Sequence, residues 1–164
     1  MKSILGIGNA LTDILAVLPN DLLLKQYHLP KGSMQHVDQA TGDKIWATLK
    51  PMGVEYVAGG SAANTINGAA VFGMRAGFIG KVGDDDLGAL YKSDLERNGI
   101  KATLLKGKSS SGRAMVFISN PNAERTFAVY LGAALEMVPE DLTPEMFQGY
   151  DYFHIEGYLV QNQA

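Results

Sequence analysis

At 164 residues, 46% hydrophobic and 19% charged, the chain can bury one good core and has the size of a single domain, which excludes a disordered or fibrous protein. Acidic residues outnumber basic ones by 17 to 14, and the Lys and Arg residues are scattered, so neither a nucleic acid nor an anionic membrane is an expected partner. With no cysteine, neither a disulfide framework nor a thiolate metal site can be built.

Segment 3–8 (Ser3 to Gly8) is short, apolar and closed by glycine, as a buried strand of a parallel sheet would be. It is too short and glycine-broken for a signal-peptide core, and no run approaches the ~20 apolar residues of a membrane helix. A soluble, cytoplasmic chain is the expectation. Ile14 to Leu18 predicts a second short strand, followed by Pro19-Asn20-Asp21 and a weak helix from Leu22 to Tyr27. Leu29 to Val37 reads as irregular, and Asp38 to Leu49 has helical spacing that Lys50-Pro51-Met52-Gly53 ends. From Ser61 the residues turn small, which favours a helix packed closely on a sheet, with Ser61 as its expected N-cap. Ala76 to Val82 predicts another buried strand, and an amphipathic helix carrying Leu87, Leu90, Tyr91 and Leu95 should end near Gly99. Arg113 to Ser119 and Thr126 to Leu131 alternate about Asn120-Pro121-Asn122, as a hairpin exposed on one face would. Val138 to Phe147 reads as a short helix and Tyr150 to Ile155 as a strand. The sum is an α/β fold: a mainly parallel, Rossmann-like sheet with flanking helices and a small β-sheet lid.

Two constellations carry chemistry. Gly8-Asn9-Ala10-Leu11-Thr12-Asp13 sets Asn9 and Asp13 beyond the carboxyl end of the first strand, where open α/β sheets bind ligands. A carboxylate there can accept from two neighbouring hydroxyls, as a vicinal diol offers; the plain alternative is a turn that Asp13 caps. A dinucleotide fingerprint starting at Gly6 fails, because Leu11 stands where the third glycine belongs. In the second constellation, Gly59-Gly60 delivers the chain into a helix N-terminus, where free N–H groups are donors, and Asn64 follows Ser61 on the same face. On these residues alone, an ordinary capped helix with a tight entry turn is the preferred reading. Asp84-Asp85-Asp86 is read as a helix N-cap rather than a metal cluster, and His28, His36 and His154 lack ligand spacing, so no metal site is expected.

The extended pattern closely resembles the first signature of the PfkB (ribokinase-like) carbohydrate kinase family. It runs from Ala58-Gly59-Gly60-Ser61-Ala62-Ala63-Asn64-Thr65 through Gly80-Lys81-Val82-Gly83-Asp84-Asp85-Asp86-Leu87-Gly88. Gly8-Asn9-Ala10-Leu11-Thr12-Asp13-Ile14 is similar to the opening of the adenosine kinase branch, and Arg125-Thr126 with Leu131-Gly132-Ala133-Ala134 resembles its lid side. The resemblance covers the whole chain and implies ATP-dependent, Mg2+-assisted phosphorylation of a primary hydroxyl. Adenosine leads as acceptor, a ribokinase- or fructokinase-type sugar is the alternative, and a non-catalytic sugar- or nucleoside-binding module is the reading of another class.

Residue by residue, the resemblance implies that Asn9, Asp13, Gly59, Gly60, Ser61 and Asn64 meet sugar hydroxyls, while Leu131 and Ala133 line the apolar part of the pocket. It implies that Arg125 reaches toward the transferred phosphoryl group. Met34 and His36 fall in the segment that covers the base in adenosine kinases, but their identities differ from those of the animal enzymes. Tyr158 is either an aromatic wall or core packing. The family's Gly-Ala-Gly-Asp motif, which carries the general base and precedes the ATP pocket, does not occur, so the chain is expected to be the substrate-binding N-terminal half, inactive alone, with lid segments near 14–37 and 111–131. A lid with an open face permits a homodimer through the lid.

Overall fold

The computed structural model describes residues 1–160. In chain order the elements are β1 (Ser3–Ile7), β2 (Leu11–Leu18), α1 (Leu22–Gln26), β3 (Met34–His36), α2 (Gln39–Leu49), β4 (Glu55–Gly59), α3 (Ser61–Val71) and β5 (Arg75–Val82). They continue as α4 (Asp86–Arg97), β6 (Ile100–Lys106), β7 (Gly112–Ser119), β8 (Glu124–Tyr130), α5 (Pro144–Phe147) and β9 (Tyr152–Ile155). The strands form a four-stranded parallel core sheet, ordered β6-β5-β1-β9, and a five-stranded mixed sheet, ordered β3-β8-β7-β2-β4.

The core sheet is apolar on both faces, which is why β1 shows no alternation. Leu5 and Ile7 pack with Ile79 beneath Met137, Leu142, Met146 and Phe147. Gly6 faces the opposite way, against Ile66 of α3, with no room for a Cβ. Ala62 and Ala63, both 1% exposed, let that helix sit close, and this is the packing the run of small residues foretells. α4 lies beside α3, with Tyr91 and Leu95 in the same cluster as Phe78.

The second sheet has two different faces. One carries Ile14, Ala16, Leu18, Met115, Phe117 and Ala128 into a core closed by α1 and α2. Arg113, 1% exposed, is fixed on that side between the rings of Trp46 and Tyr130 and pairs with Asp43. The other face, with Leu11, Ala114, Val116, Phe127 and Val129, overhangs the core sheet and is the lid.

Several elements differ from the sequence reading. β2 begins at Leu11 rather than Ile14, because Leu11 pairs Gly59 on one side and Gly112 on the other; Asp13 is therefore a strand residue of the lid and not a loop residue. β3 lies within the segment read as irregular, and β4 and β6 join the expected strands. Val138 to Phe147 is not one helix, since Pro139 and Pro144 each start a separate turn. The N-cap of α3 is Gly60, at φ 88, and Ser61 is its first helical residue. Asp85 caps α4 by accepting from Gly88 N, as the run of aspartates suggests, and among the described residues no group of three or more metal-ligating side chains exists. No helix among them is long and apolar enough to cross a membrane.

Candidate functional site

Between the lid face and the carboxyl ends of the core strands lies a cavity of about 570 Å³. It is built from three crossings of the chain. At the first, β1 ends and Asn9-Ala10 lead up into β2, which puts Asn9 on the floor and Asp13 on the roof. At the second, β4 descends through Gly59-Gly60 into α3, bringing Gly60, Ser61 and Asn64 to the same wall. The Asp13 carboxylate rests directly on Gly59, where a Cβ would collide with it, and a Cβ on Gly60 would meet the Asn9 carbonyl. Glycines at 59 and 60 are thus what lets these polar groups converge. At the third crossing, β9 ends in Glu156, which accepts a hydrogen bond from Ser61 Oγ at 2.6 Å.

The remaining walls are mostly apolar. Met34 and His36, on the edge strand β3, face Phe127 and Val129 of β8 across the register, and Leu131, Leu135 and Tyr158 close the side. Nine of the residues singled out in the sequence line this cavity: Asn9, Asp13, Gly60, Ser61, Asn64, Met34, His36, Leu131 and Tyr158. Three do not. Ala133 is fully buried behind the wall, where its methyl packs closely on Gly107, so it does not line the pocket as expected. Gly59 is buried beneath Asp13 and serves as its seat. Arg125 is exposed on β8, two and four residues before Phe127 and Val129 and so on the lid's cavity face.

Sequence reasoning missed Glu156, which stands after β9 much as Asn9 stands after β1; the rule that ligands gather beyond the carboxyl ends of strands points to it once β9 is recognised. Electrostatically the site is acidic. Burial pushes the Asp13 carboxyl up to about 6, and the positive charge of Arg125 acts in the opposite direction. An acid so perturbed, in a concave site with convergent polar groups, makes this cavity the candidate functional site.

A family model described as pfkB family carbohydrate kinase matches residues 37–164. The chain belongs to the PfkB family. Among curated relatives, this PfkB chain is 33% identical over 102 residues to an aminoimidazole riboside kinase of Salmonella typhimurium, which covers 60% of the chain and 31% of that protein. It is 30% identical over 99 residues to a probable fructokinase-3 of Arabidopsis thaliana, covering 58% of the chain and 29% of that protein. Among solved structures, adenosine kinase from Sinorhizobium meliloti superposes with a TM-score of 0.83 at 32% identity, over 98% of this chain and 48% of that one. A probable sugar kinase from Rhizobium etli gives 0.84 at 30%, over 97% and 48%. The PfkB chain thus spans about half the length of its solved neighbours and a smaller share of the curated relatives. Its fold is ribokinase-like: a parallel α/β core with a β-sheet lid.

Proposed function

We propose that the cavity binds the acceptor of an ATP-dependent kinase, a ribonucleoside or sugar whose primary hydroxyl is phosphorylated, with adenosine as the leading acceptor. The observation that carries this reading is the convergence of Asp13, Asn9, Asn64 and the open N-terminus of α3 at one end of an otherwise apolar cavity. Asp13 accepts from two adjacent hydroxyls, Asn64 offers a donor and an acceptor, and Glu156 adds a second carboxylate beside Ser61. Met34, His36, Phe127 and Leu131 then face the part of the acceptor that carries no hydroxyls. That division suits a nucleoside, with a polar pentose end and a flat, largely apolar base.

A free sugar is the second reading. It is favoured by the fructokinases among the relatives and by Glu156, a second acceptor for hydroxyls at the floor of the cavity.

In the proposed reaction the chain supplies the acceptor side of a longer kinase, and residues beyond it supply the general base and the ATP pocket. When bound, ATP with Mg2+ supplies the phosphoryl group and part of its charge neutralisation. Among the described residues no group of three or more metal-ligating side chains offers the metal a site. The chain's own work is positioning: the acceptor is held by Asp13 and Asn64 and screened from water by the lid, while Arg125 on the lid meets the charge that develops on the phosphoryl oxygens.

A panel of acceptors tests this on the full-length protein, with ATP consumption measured for adenosine, other ribonucleosides, aminoimidazole riboside, ribose and fructose. Preferential turnover of adenosine is the expected result. Preferential turnover of fructose or ribose would replace the nucleoside reading by the sugar reading, and turnover of none would leave only a binding module.

A further inference from the structure

We propose that Tyr91 and Asp94 of α4 are positioning residues for the acceptor, acting through the Ala58-Gly59 peptides on which Asp13 is seated. The inference rests on the acceptor-site reading above and extends it to two side chains that do not line the cavity.

The β4-to-α3 turn has little to hold it from its own sheet. β4 is an edge strand whose one partner among the described residues is β2, and Gly59 and Gly60 contribute no side chains. Glycine-rich backbone at a sheet edge is intrinsically loose, yet here it must fix the Asp13 carboxylate to within the tolerance of a paired hydroxyl. α4 supplies the restraint from below. Tyr91 Oη donates to the Gly59 carbonyl at 3.0 Å, and Asp94 Oδ2 accepts from Ala58 N at 2.7 Å. The two side chains are three residues apart and so share one helix face, and they grip two consecutive residues of the turn. Both are buried, at 1% and 7% exposure, with the Tyr91 ring against Phe78 and Asp94 paired to Arg97.

Neither group is accounted for by apolar packing. A leucine or phenylalanine at 91 would fill the same cluster, and a buried carboxylate at 94 is costly unless something needs it. What both do is satisfy main-chain groups of the one turn on which the Asp13 carboxylate rests. The phenol also remains a donor throughout the working range, because burial and then the negative charges of Asp13, Asp94 and Glu156 hold its proton.

The same helix also ties down the β1-to-β2 crossing and the entry to β7. Thr12 Oγ1 donates to the Leu87 carbonyl at 3.4 Å, and Asp85 accepts from Ser111 N at 2.8 Å and from Ser111 Oγ at 2.6 Å. Only the Tyr91 and Asp94 contacts bear on the seat of Asp13, so their loss should be read in acceptor binding rather than in stability alone.

The test uses the full-length protein and the acceptor that the panel identifies, adenosine in the expected case. Tyr91→Phe retains the ring and removes only the donor. It is expected to weaken acceptor binding by calorimetric titration about ten-fold, to raise the acceptor KM by a like factor and to leave the ATP KM unchanged. Asp94→Asn, which keeps an acceptor for Ala58 N, should stay within about three-fold of wild type, and Asp94→Ala should fall with Tyr91→Phe. Asp13→Ala runs beside them. If Asp13→Ala loses acceptor binding while Tyr91→Phe and Asp94→Ala bind as wild type and merely melt earlier, the positioning inference is overturned and the acceptor site stands. Should Asp13→Ala itself bind as wild type, the acceptor-site reading fails and this inference goes with it. If Tyr91→Phe does not fold, the Asp94→Ala and Asp94→Asn pair decides the same question.

Discussion

Burial raises the Asp13 carboxyl to about 6 from an ordinary 3.8, so the proton it holds has opposite consequences for the fold and for binding. The folded state prefers the neutral acid, and this contribution to stability is present below the ordinary value and lost as pH rises through about 6. Acceptor binding runs the other way, since only the carboxylate offers both oxygens to a diol. Acceptor affinity should therefore fall about ten-fold per pH unit below that value, and Asp13→Asn should bind weakly but with no such slope. Titration calorimetry from pH 5 to pH 8 reads both, and a flat wild-type profile would contradict the assignment. Arg125 sits farther out on the same lid face, and its charge is felt at Asp13. If it meets the phosphoryl group chiefly in the transition state, Arg125→Ala lowers kcat by roughly 10²-fold or more while the acceptor KM moves little. A raised acceptor KM with kcat unchanged would put Arg125 on the substrate instead. At this scale the sequence was informative where a polar residue follows a strand or a glycine pair, as at Asn9 and Asn64, whereas Asp13 stands inside β2 and not just beyond β1. It misled at Ala133, because a small residue beside a pocket and one behind its wall look alike until the 3-10 turn of Gly132–Glu136 is known.

Among the elements, α4 joins the two layers. Asp85, the aspartate of its glycine-flanked entry, caps Gly88 N and also binds Ser111 N and Oγ at the foot of β7. Burial alone would raise that carboxyl, but the hydrogen bonds from Ser111 and Gly88 outweigh it and hold it below its usual range. Asp85→Ala thus removes a cap and an interlayer tie together and should cost about 2–3 kcal/mol in urea unfolding, whereas Asp85→Asn should cost less than half of that. A loss below ~0.5 kcal/mol for Asp85→Ala would show that Ser111 finds other partners. α2, α3, α4 and the β7–β8 hairpin were readable because helical spacing and strand patterning are local, whereas the stretch from Val138 to Phe147, read as one helix, is broken into two short turns by its prolines. The strands that escaped were short, edge or charged: β3 has three exposed residues, β4 lies at the edge of its sheet, and β6 carries lysines at 101 and 106. Their strand character comes from a neighbour that sequence-local pattern does not contain.

The molecule as a whole is a parallel core under a mixed lid, and the site belongs to neither layer alone. Asn9 and Asn64 come from the core, Asp13 and Phe127 from the lid, and Glu156 reaches in from the far edge strand. Motif and family resemblance made this architecture legible, since the glycine pair and the Gly-x-Val-Gly tail sit at the layer crossings. That Asp13 is on the lid and not on the core was not legible, because it depends on β2 pairing with both β4 and β7. In the proposed site that residue grips two adjacent hydroxyls of the acceptor. Its most direct test is calorimetric titration of the full-length protein and its Asp13→Ala variant with ribo-, 2′-deoxy- and 3′-deoxy-acceptors, with thermal melting as the fold control. Two charged hydrogen bonds at about 1.5–3 kcal/mol each predict a loss of roughly 100-fold or more in the variant, and discrimination against the deoxy compounds in wild type only. A variant that folds, binds the ribo-acceptor as tightly as wild type and keeps the same discrimination would contradict it.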